Sequence, residues 1–246
     1  MIEPKILIQG KFNSDDITIS VNPSTLVLSD LIKKDIETTW NNKIIEAKEK
    51  GLHLYNGTSY RLNSFKQENG KIYLDFGIMD FKIRYGLTKV LSGIDYDESL
   101  YRKGCYVGAT VKTSDNKYLM ITLSGKSMNK NGHDVLGGIM ETNIDIDSKY
   151  IFNVLYAELY EEAGIKKEEI KNTILSAVYL SSHGNIAFYL ETELSVSSED
   201  ILERFSSNID IDVAGIEVYS YGEYLEILKN HSPNKRVMYA LLKNQH

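Results

Sequence analysis

The chain has one cysteine, Cys105, among 246 residues. A single thiol excludes an intramolecular disulfide and any cysteine zinc cluster, and such a residue is more often a small core side chain than a nucleophile. A reducing, cytoplasmic setting is the expectation. No apolar run approaches the ~20 residues of a membrane span, and the first residues lack a charged-then-apolar leader pattern, so a soluble protein with no membrane partner is expected. Basic residues are not in excess: 28 Lys and Arg stand against 34 Asp and Glu, for a net charge of −6. That balance argues against a general nucleic-acid binder, which displays a basic face, and leaves a small molecule as the expected partner. Repeats, low-complexity tracts and Gly/Ser-rich linkers are absent, and proline occurs only three times. With 42% hydrophobic and 25% charged residues, the composition is that of an ordinary globular chain long enough to bury a sizeable core.

What the chain does have is the stretch His133–Ile165, where Glu158, Glu161 and Glu162 precede Gly164. The spacing predicts a helix from Ser148, a good N-cap, to Gly164, which suits the left-handed C′ position, with Ile165 as the apolar contact that follows. At about 100° per residue, Phe152, Leu155, Tyr156, Leu159 and Ala163 share one flank, while Glu158 and Glu162 stack at i, i+4 with Glu161 beside them. Carboxylates this close repel unless solvent or a hard cation screens them, and Mg²⁺ takes carboxylate oxygens together with substrate phosphates. A Glu-Glu pair on an exposed helix is usually only a solvated face. Here Gly137-Gly138 lies upstream, where bare backbone can come close to a metal or phosphate.

Gly137-Gly138 followed by a helix carrying Glu158-Leu159-x-Glu161-Glu162-x-Gly164-Ile165 resembles the box of the Nudix hydrolases. The loop TNIDIDS is longer than that family's, Glu141 is the nearby candidate for its loop acid, and Ala157 stands where the family has arginine. The resemblance implies that Glu158, Glu162 and Glu161 hold Mg²⁺, or Mn²⁺, with the Gly138 carbonyl completing the shell. It also implies that Glu161 or Glu158 acts as the base and that Gly137 and Lys126 meet phosphates.

The first ninety residues lack a catalytic cluster. Alternation predicts strands at Lys5–Phe12 and Ile17–Val21, forming a hairpin around Asn13-Ser14-Asp15-Asp16, and further strands at Lys71–Phe76 and Asp80–Tyr85, with Asn69-Gly70 as a hairpin turn. Ile32, Ile36, Trp40 and Ile44 stripe a helix over Leu31–Lys50, stopped by Gly51. Asn56, Gly57, Arg61 and Leu62, then Gly86, Leu87 and Thr88, resemble in their order the Nudix branch that cleaves UDP-glucose and UDP-galactose. The residues that grip the base are not assigned by sequence; Arg61, Arg84 and Lys89 are candidates for the substrate-binding side, with a structural ion pair the other reading of Arg61.

Further strands are expected over Tyr106–Thr113, Lys117–Leu123, Leu175–Leu180, Ile186–Leu194 and Ile216–Tyr219, and helices over Tyr221–Leu228 and Asn234–Leu242. The fold class expected is α+β: a Nudix-like α/β/α sandwich (91–246) with an added α/β segment (1–90) packed on it to shape substrate choice. UMP and hexose 1-phosphate would be the products from a UDP-sugar. Hydrolysis of another nucleoside diphosphate such as ADP-ribose or a dinucleoside polyphosphate, and a Nudix-fold module that binds a nucleotide without cleaving it, both stay open at this point.

Overall fold

The computed structural model describes residues 2–23, 26–51, 54–91, 103–124, 132–142, 146–205 and 213–243. Its centre is a mixed sheet in the order β1 (Lys5–Phe12), β8 (Ile170–Leu180), β9 (Ile186–Leu194), β5 (Cys105–Lys112), β6 (Tyr118–Leu123), β10 (Val213–Tyr219), with the short β7 (His133–Asp134) also on β6. β5 and β9 run parallel, and the other neighbours are antiparallel.

Period-two alternation loads both faces of this sheet. Ala177 and Tyr179 of β8, and Ala187 and Tyr189 of β9, face α5 (Tyr221–Asn230) and α6 (Pro233–Lys243), burying Tyr224, Leu228, Met238, Leu241 and Leu242. Their neighbours Val178, Leu180, Phe188 and Leu190 face the other way, against α3 (Tyr150–Ala163) and α4 (Ser198–Phe205). Strands whose side chains are apolar on both faces must be covered on both faces. The result is the expected helix–sheet–helix sandwich of α+β class.

A second sheet, β2 (Ile17–Val21), β4 (Lys71–Asp80) and β3 (Thr58–Glu68), packs Tyr60, Leu62, Ile72, Leu74 and Phe76 into the same core as α3. Asn69 and Gly70 both take positive φ, 51° and 75°, which is what a two-residue primed turn between β3 and β4 requires. Beside this sheet lie α1 (Asp30–Glu49), capped by Ser29, and α2 (Phe81–Val90). Trp40 meets Phe81 and Tyr85 edge-on, with centroids 5.8 Å and 6.4 Å away.

Three expectations are corrected. The segments Lys5–Phe12 and Ile17–Val21 do not form a hairpin: a 3-10 turn at Ser14–Asp16 sends β1 to the edge of the large sheet and β2 to a parallel pairing in the small one. Asp80–Tyr85 is not a strand. β4 runs unbroken to Asp80, and α2 starts there because Asn56 Oδ1 accepts the Lys82 N–H at 2.7 Å and the Gly57 carbonyl accepts the Phe81 N–H at 2.8 Å. Two orphan amides of a helix start are satisfied from sequence-distant residues, which alternation does not reveal. Finally, Ser148 is not the cap of α3; Lys149 is, in helical backbone, and the Asp147 carboxylate takes its N–H at 2.9 Å. The helix α4, absent from the sequence expectation, starts where Asp115 holds the Ser198 backbone and hydroxyl, at 2.9 Å and 2.7 Å.

Gly86 sets the distance between α1 and α2: a Cβ there would lie 2.6 Å from Ile36 Cγ2. Gly86→Ala is expected to lower unfolding free energy by about 1–3 kcal/mol through overpacking, read as an earlier urea midpoint with unchanged slope.

Candidate active site

The central feature is the segment 132–142, which takes three partners in succession. β5 and β6 pair only at Val111–Leu119 and Lys112–Tyr118 and then part. Into the gap runs the segment. Gly132 O accepts from Leu123 and β7 pairs with β6; next Leu136 O and Gly138 O accept from Ala109 and Val107 of β5, both at 2.9 Å; then Met140 O accepts from Tyr60 of β3, also at 2.9 Å. The two sheets are joined along this segment.

Gly137 and Gly138 sit at its middle, and each is demanded by a different neighbour. Gly137 has φ +147°, and a Cβ on it would stand 2.3 Å from the Val107 carbonyl oxygen. At Gly138 the added carbon would fall 1.7 Å from Glu158 Oε1. The Glu158 carboxylate thus lies directly on the Gly138 backbone. One turn further along α3, Glu162 Oε2 accepts the Gly137 N–H at 2.9 Å. The expected stacking of Glu158 and Glu162 on one ridge is therefore a docking of both onto the glycine pair.

Burial separates the three acids. Glu162 is only 8% exposed, Glu158 is half-buried and Glu161 is exposed. The far flank of α3 holds them there: Ile151, Leu155 and Leu159 are fully buried, and Gly164, at φ 65°, closes the helix in left-handed backbone as expected. Of the predicted apolar flank, Tyr156 is only half-buried, and Tyr150 and Val154 join instead.

The donor set is all oxygen: three carboxylates at i, i+3 and i+4, and a glycine carbonyl that already accepts from Val107 and keeps a second lone pair. Hard oxygen donors fit a hard divalent cation, Mg²⁺ or Mn²⁺. Among the described residues no three His, Cys, Asp or Glu side chains stand close enough to chelate an ion by themselves. Mg²⁺ commonly takes one or two carboxylates and fills its octahedron with water and substrate phosphate, and these residues fit that mode.

Behind the glycines, α6 fixes the segment. Lys235 is 5% exposed, donates to the His133 carbonyl and pairs with Asp134 Oδ1 at 3.3 Å; burial holds its pKa below the usual lysine range. The sequence analysis missed it, because a lysine on a C-terminal helix carries no local sign of the partner 102 positions earlier.

The remaining candidates fall in different places. Arg61 is 8% exposed; its Nη1 donates to Asn63 Oδ1 at 3.2 Å, its Nε has no hydrogen-bond partner, and burial lowers its pKa. Arg84 is half-buried, with its guanidinium over the Phe81 ring at 5.3 Å; burial lowers its pKa, and the Glu141 charge opposes that fall. Lys89 is exposed, with Nζ over the Tyr85 ring at 5.8 Å. Glu141 bridges to Ser59, and its carbonyl accepts the Tyr150 hydroxyl at 2.5 Å. Lys126 lies outside the described residues. The Cys105 thiol is buried and its pKa is driven far above the usual value, which removes it as a nucleophile at neutral pH. A cavity of about 240 Å³ opens on the α5 and α6 side of the sheet, lined by Lys11, Lys112, Glu191, Glu193 and Tyr221 among others; α3 and its acids are on the opposite side.

No family model matches the chain, and no curated protein matches it. Among solved structures it is similar to a Nudix hydrolase from Nitrosomonas europaea, with a TM-score of 0.43 and 16% identity over 58% of this chain and 89% of that one. It is also similar to a C. elegans Ap4A hydrolase (TM-score 0.41, 13% identity, 56% and 93% covered) and to the Nudix domain of Shewanella oneidensis NrtR complexed with ADP-ribose (0.41, 12%, 61% and 94%).

The two glycines are expected to respond differently to a methyl group. Gly137→Ala sets a carbon against a backbone carbonyl at a strained φ and should cost about 2–4 kcal/mol, a fall in Tm of at least about 5 °C. Gly138→Ala displaces only the end of the Glu158 side chain and should lower Tm by less than about 2 °C. Differential scanning calorimetry of the two variants checks the contrast.

Proposed function

We propose that this chain is a Nudix-type hydrolase that cleaves the diphosphate of a nucleoside diphosphate derivative, with UDP-glucose and UDP-galactose as the substrates and UMP and hexose 1-phosphate as the products. The observation that carries the reading is the seating of Glu158 and Glu162 on the bare backbone of Gly137-Gly138. It sets carboxylates and close-approach backbone side by side at the mouth of one helix ridge. A hydrolase for diphosphates needs charge neutralisation on the phosphates, a placed water and an acceptor for its proton.

In this reading Glu158, Glu161 and Glu162, with the Gly138 carbonyl, hold a divalent cation, Mg²⁺ or Mn²⁺, which when bound polarises the phosphoryl oxygens and acidifies water. The chain's own groups do the rest. Glu162 is buried and fixed to the Gly137 N–H, so it is the rigid member that holds the glycine backbone in place. Glu161 is exposed and Glu158 half-buried, so either one meets the attacking water and takes its proton as the new P–O bond forms and the bridging P–O bond breaks. Lys126 meets phosphate oxygens, and Arg61 and Lys89 belong to the substrate-binding side; the Gly137 N–H, that residue's one donor, is held by Glu162 Oε2 and is not the phosphate contact expected of it. The segment 1–90 acts as the part that shapes substrate choice, and the lone buried cysteine accords with a cytoplasmic protein.

Ala157 is exposed and supplies no ion pair to the acids. The Gly137 N–H on Glu162 is a steadying contact that does not need the arginine.

Purified protein with Mg²⁺, given UDP-glucose, UDP-galactose, ADP-ribose and a dinucleoside polyphosphate, is expected to release UMP from the UDP-sugars, identified by mass spectrometry. Cleavage of ADP-ribose or the dinucleoside polyphosphate instead keeps the chemistry and replaces the substrate; nucleotide binding with no cleavage makes the chain a binding module. Glu158→Gln and Glu162→Gln should each lower turnover by about 10²-fold or more with little change in Tm, and full activity in both removes the assignment.

A further inference from the structure

The helices α5 and α6 cover only part of the sheet face on which they pack. Beside Tyr221 of α5 and Leu242 of α6 that face opens into the cavity of about 240 Å³. Its floor is built by strand register: Glu191 of β9 stands opposite Ile174 of β8 and Thr110 of β5, and Glu193 stands opposite Lys112. Residues directly opposite on neighbouring strands project to the same face, so both carboxylates point into this space.

The two acids are not alike. Glu193 is exposed, and its Oε1 lies 3.7 Å from Lys112 Nζ. Glu191 is half-buried, and its charge adds to burial in raising the pKa of Tyr118, Tyr189, Tyr221 and Tyr224. It therefore faces a group of tyrosines. Tyr118 stacks on Tyr224 with centroids 5.2 Å apart and meets Tyr221 at 5.4 Å. Thr110 Oγ1 joins the hydroxyls of Tyr189 and Tyr224, at 2.8 Å and 3.0 Å, and fixes that floor. A carboxylate set beside held aromatic rings is the chemistry that takes an organic ammonium.

Lys11 enters the same cavity from β1, two strand spacings or about 10 Å from β9. The lining thus carries two ammoniums and two carboxylates. A bare phosphate would meet two like charges there, and so would a metal ion; a molecule that bears both signs meets none unopposed. The volume is below the roughly 300–1,000 Å³ of pockets for drug-sized ligands, so that molecule is small. Ile174, Leu242 and the rings of Tyr118 and Tyr221 give it an apolar wall.

We infer that this cavity binds a free amino acid with an apolar side chain, its ammonium on Glu191 beside the tyrosines, its carboxylate toward Lys11 and its side chain against Ile174 and Leu242. The cavity lies across the sheet from α3, so the site does not depend on the acids of that helix. Isothermal titration of the intact protein with leucine and with phenylalanine is expected to show saturable binding with a Kd below about 1 mM. Isopentylamine and 4-methylpentanoate, which are leucine without its carboxylate and without its ammonium, should each bind at least about tenfold more weakly. Glu191→Gln and Lys11→Met should each weaken leucine binding about tenfold while Tm stays near that of the parent chain. Glu158→Gln should leave leucine binding unchanged, which separates failure of the hydrolase reading from failure of this site. No binding of leucine or phenylalanine up to about 10 mM, equal binding of the amine or the acid, full leucine binding in both folded cavity variants, or loss of it in Glu158→Gln overturns the inference.

Discussion

The molecule depends on a backbone accounting problem: where the amides and carbonyls of residues 132–142 go once β5 and β6 separate. Buried main-chain polar groups have to be paired. This segment solves the problem by borrowing three partners in succession, β6, then β5, then β3 of the other sheet. A strand that changes neighbour within a few residues has to turn its peptide planes, and the turn falls at Gly137, whose φ of +147° puts any side chain into the Val107 carbonyl. The joint between sheets and the bare backbone of the site are thus one feature. Lys235 and Asp134 hold its upstream end from the α6 side, and the Tyr150 hydroxyl holds its downstream end at Glu141.

The acidic helix is placed by its oily side. Ile151, Leu155 and Leu159 have essentially no exposure, and rotating α3 to relieve its carboxylates would draw them out, at about 1.5–3 kcal/mol for each side chain. Packing energy therefore forces Glu162 into a site 8% exposed, where the Gly137 N–H gives it a hydrogen bond. Repulsion among the acids is tolerated because the core does not allow the alternative.

Much of this was legible in the sequence, for physical reasons that differ by element. Strands β8 and β9 are apolar on both faces, so they read as strands whichever partner they take. The Asn69-Gly70 turn is dictated by φ and needs no tertiary context. The glycine pair and the three glutamates stood out because close backbone approach and like-charge stacking are local properties. What failed was decided at long range. Asp80–Tyr85 alternates like a strand and became a helix because Asn56 and Gly57 cap it from elsewhere. β1 and β2 look like hairpin partners and belong to different sheets. Lys235 carries no motif at all, and its meaning exists only beside Asp134.

The edge position of β1 has a consequence for synthesis. Lys5 pairs with Leu180 and Phe12 with Leu175, so β1 leaves the ribosome long before β8, the strand that gives its backbone a partner. At about 5–20 residues per second the interval is roughly 10–35 s. During it, Ile6, Ile8 and Phe12 have no sheet to join, and Lys5 and Lys11 are the charges that discourage another nascent chain from pairing there first. The order in which the chain is made thus opposes the order in which the large sheet is assembled, and the edge closes only when β8 arrives.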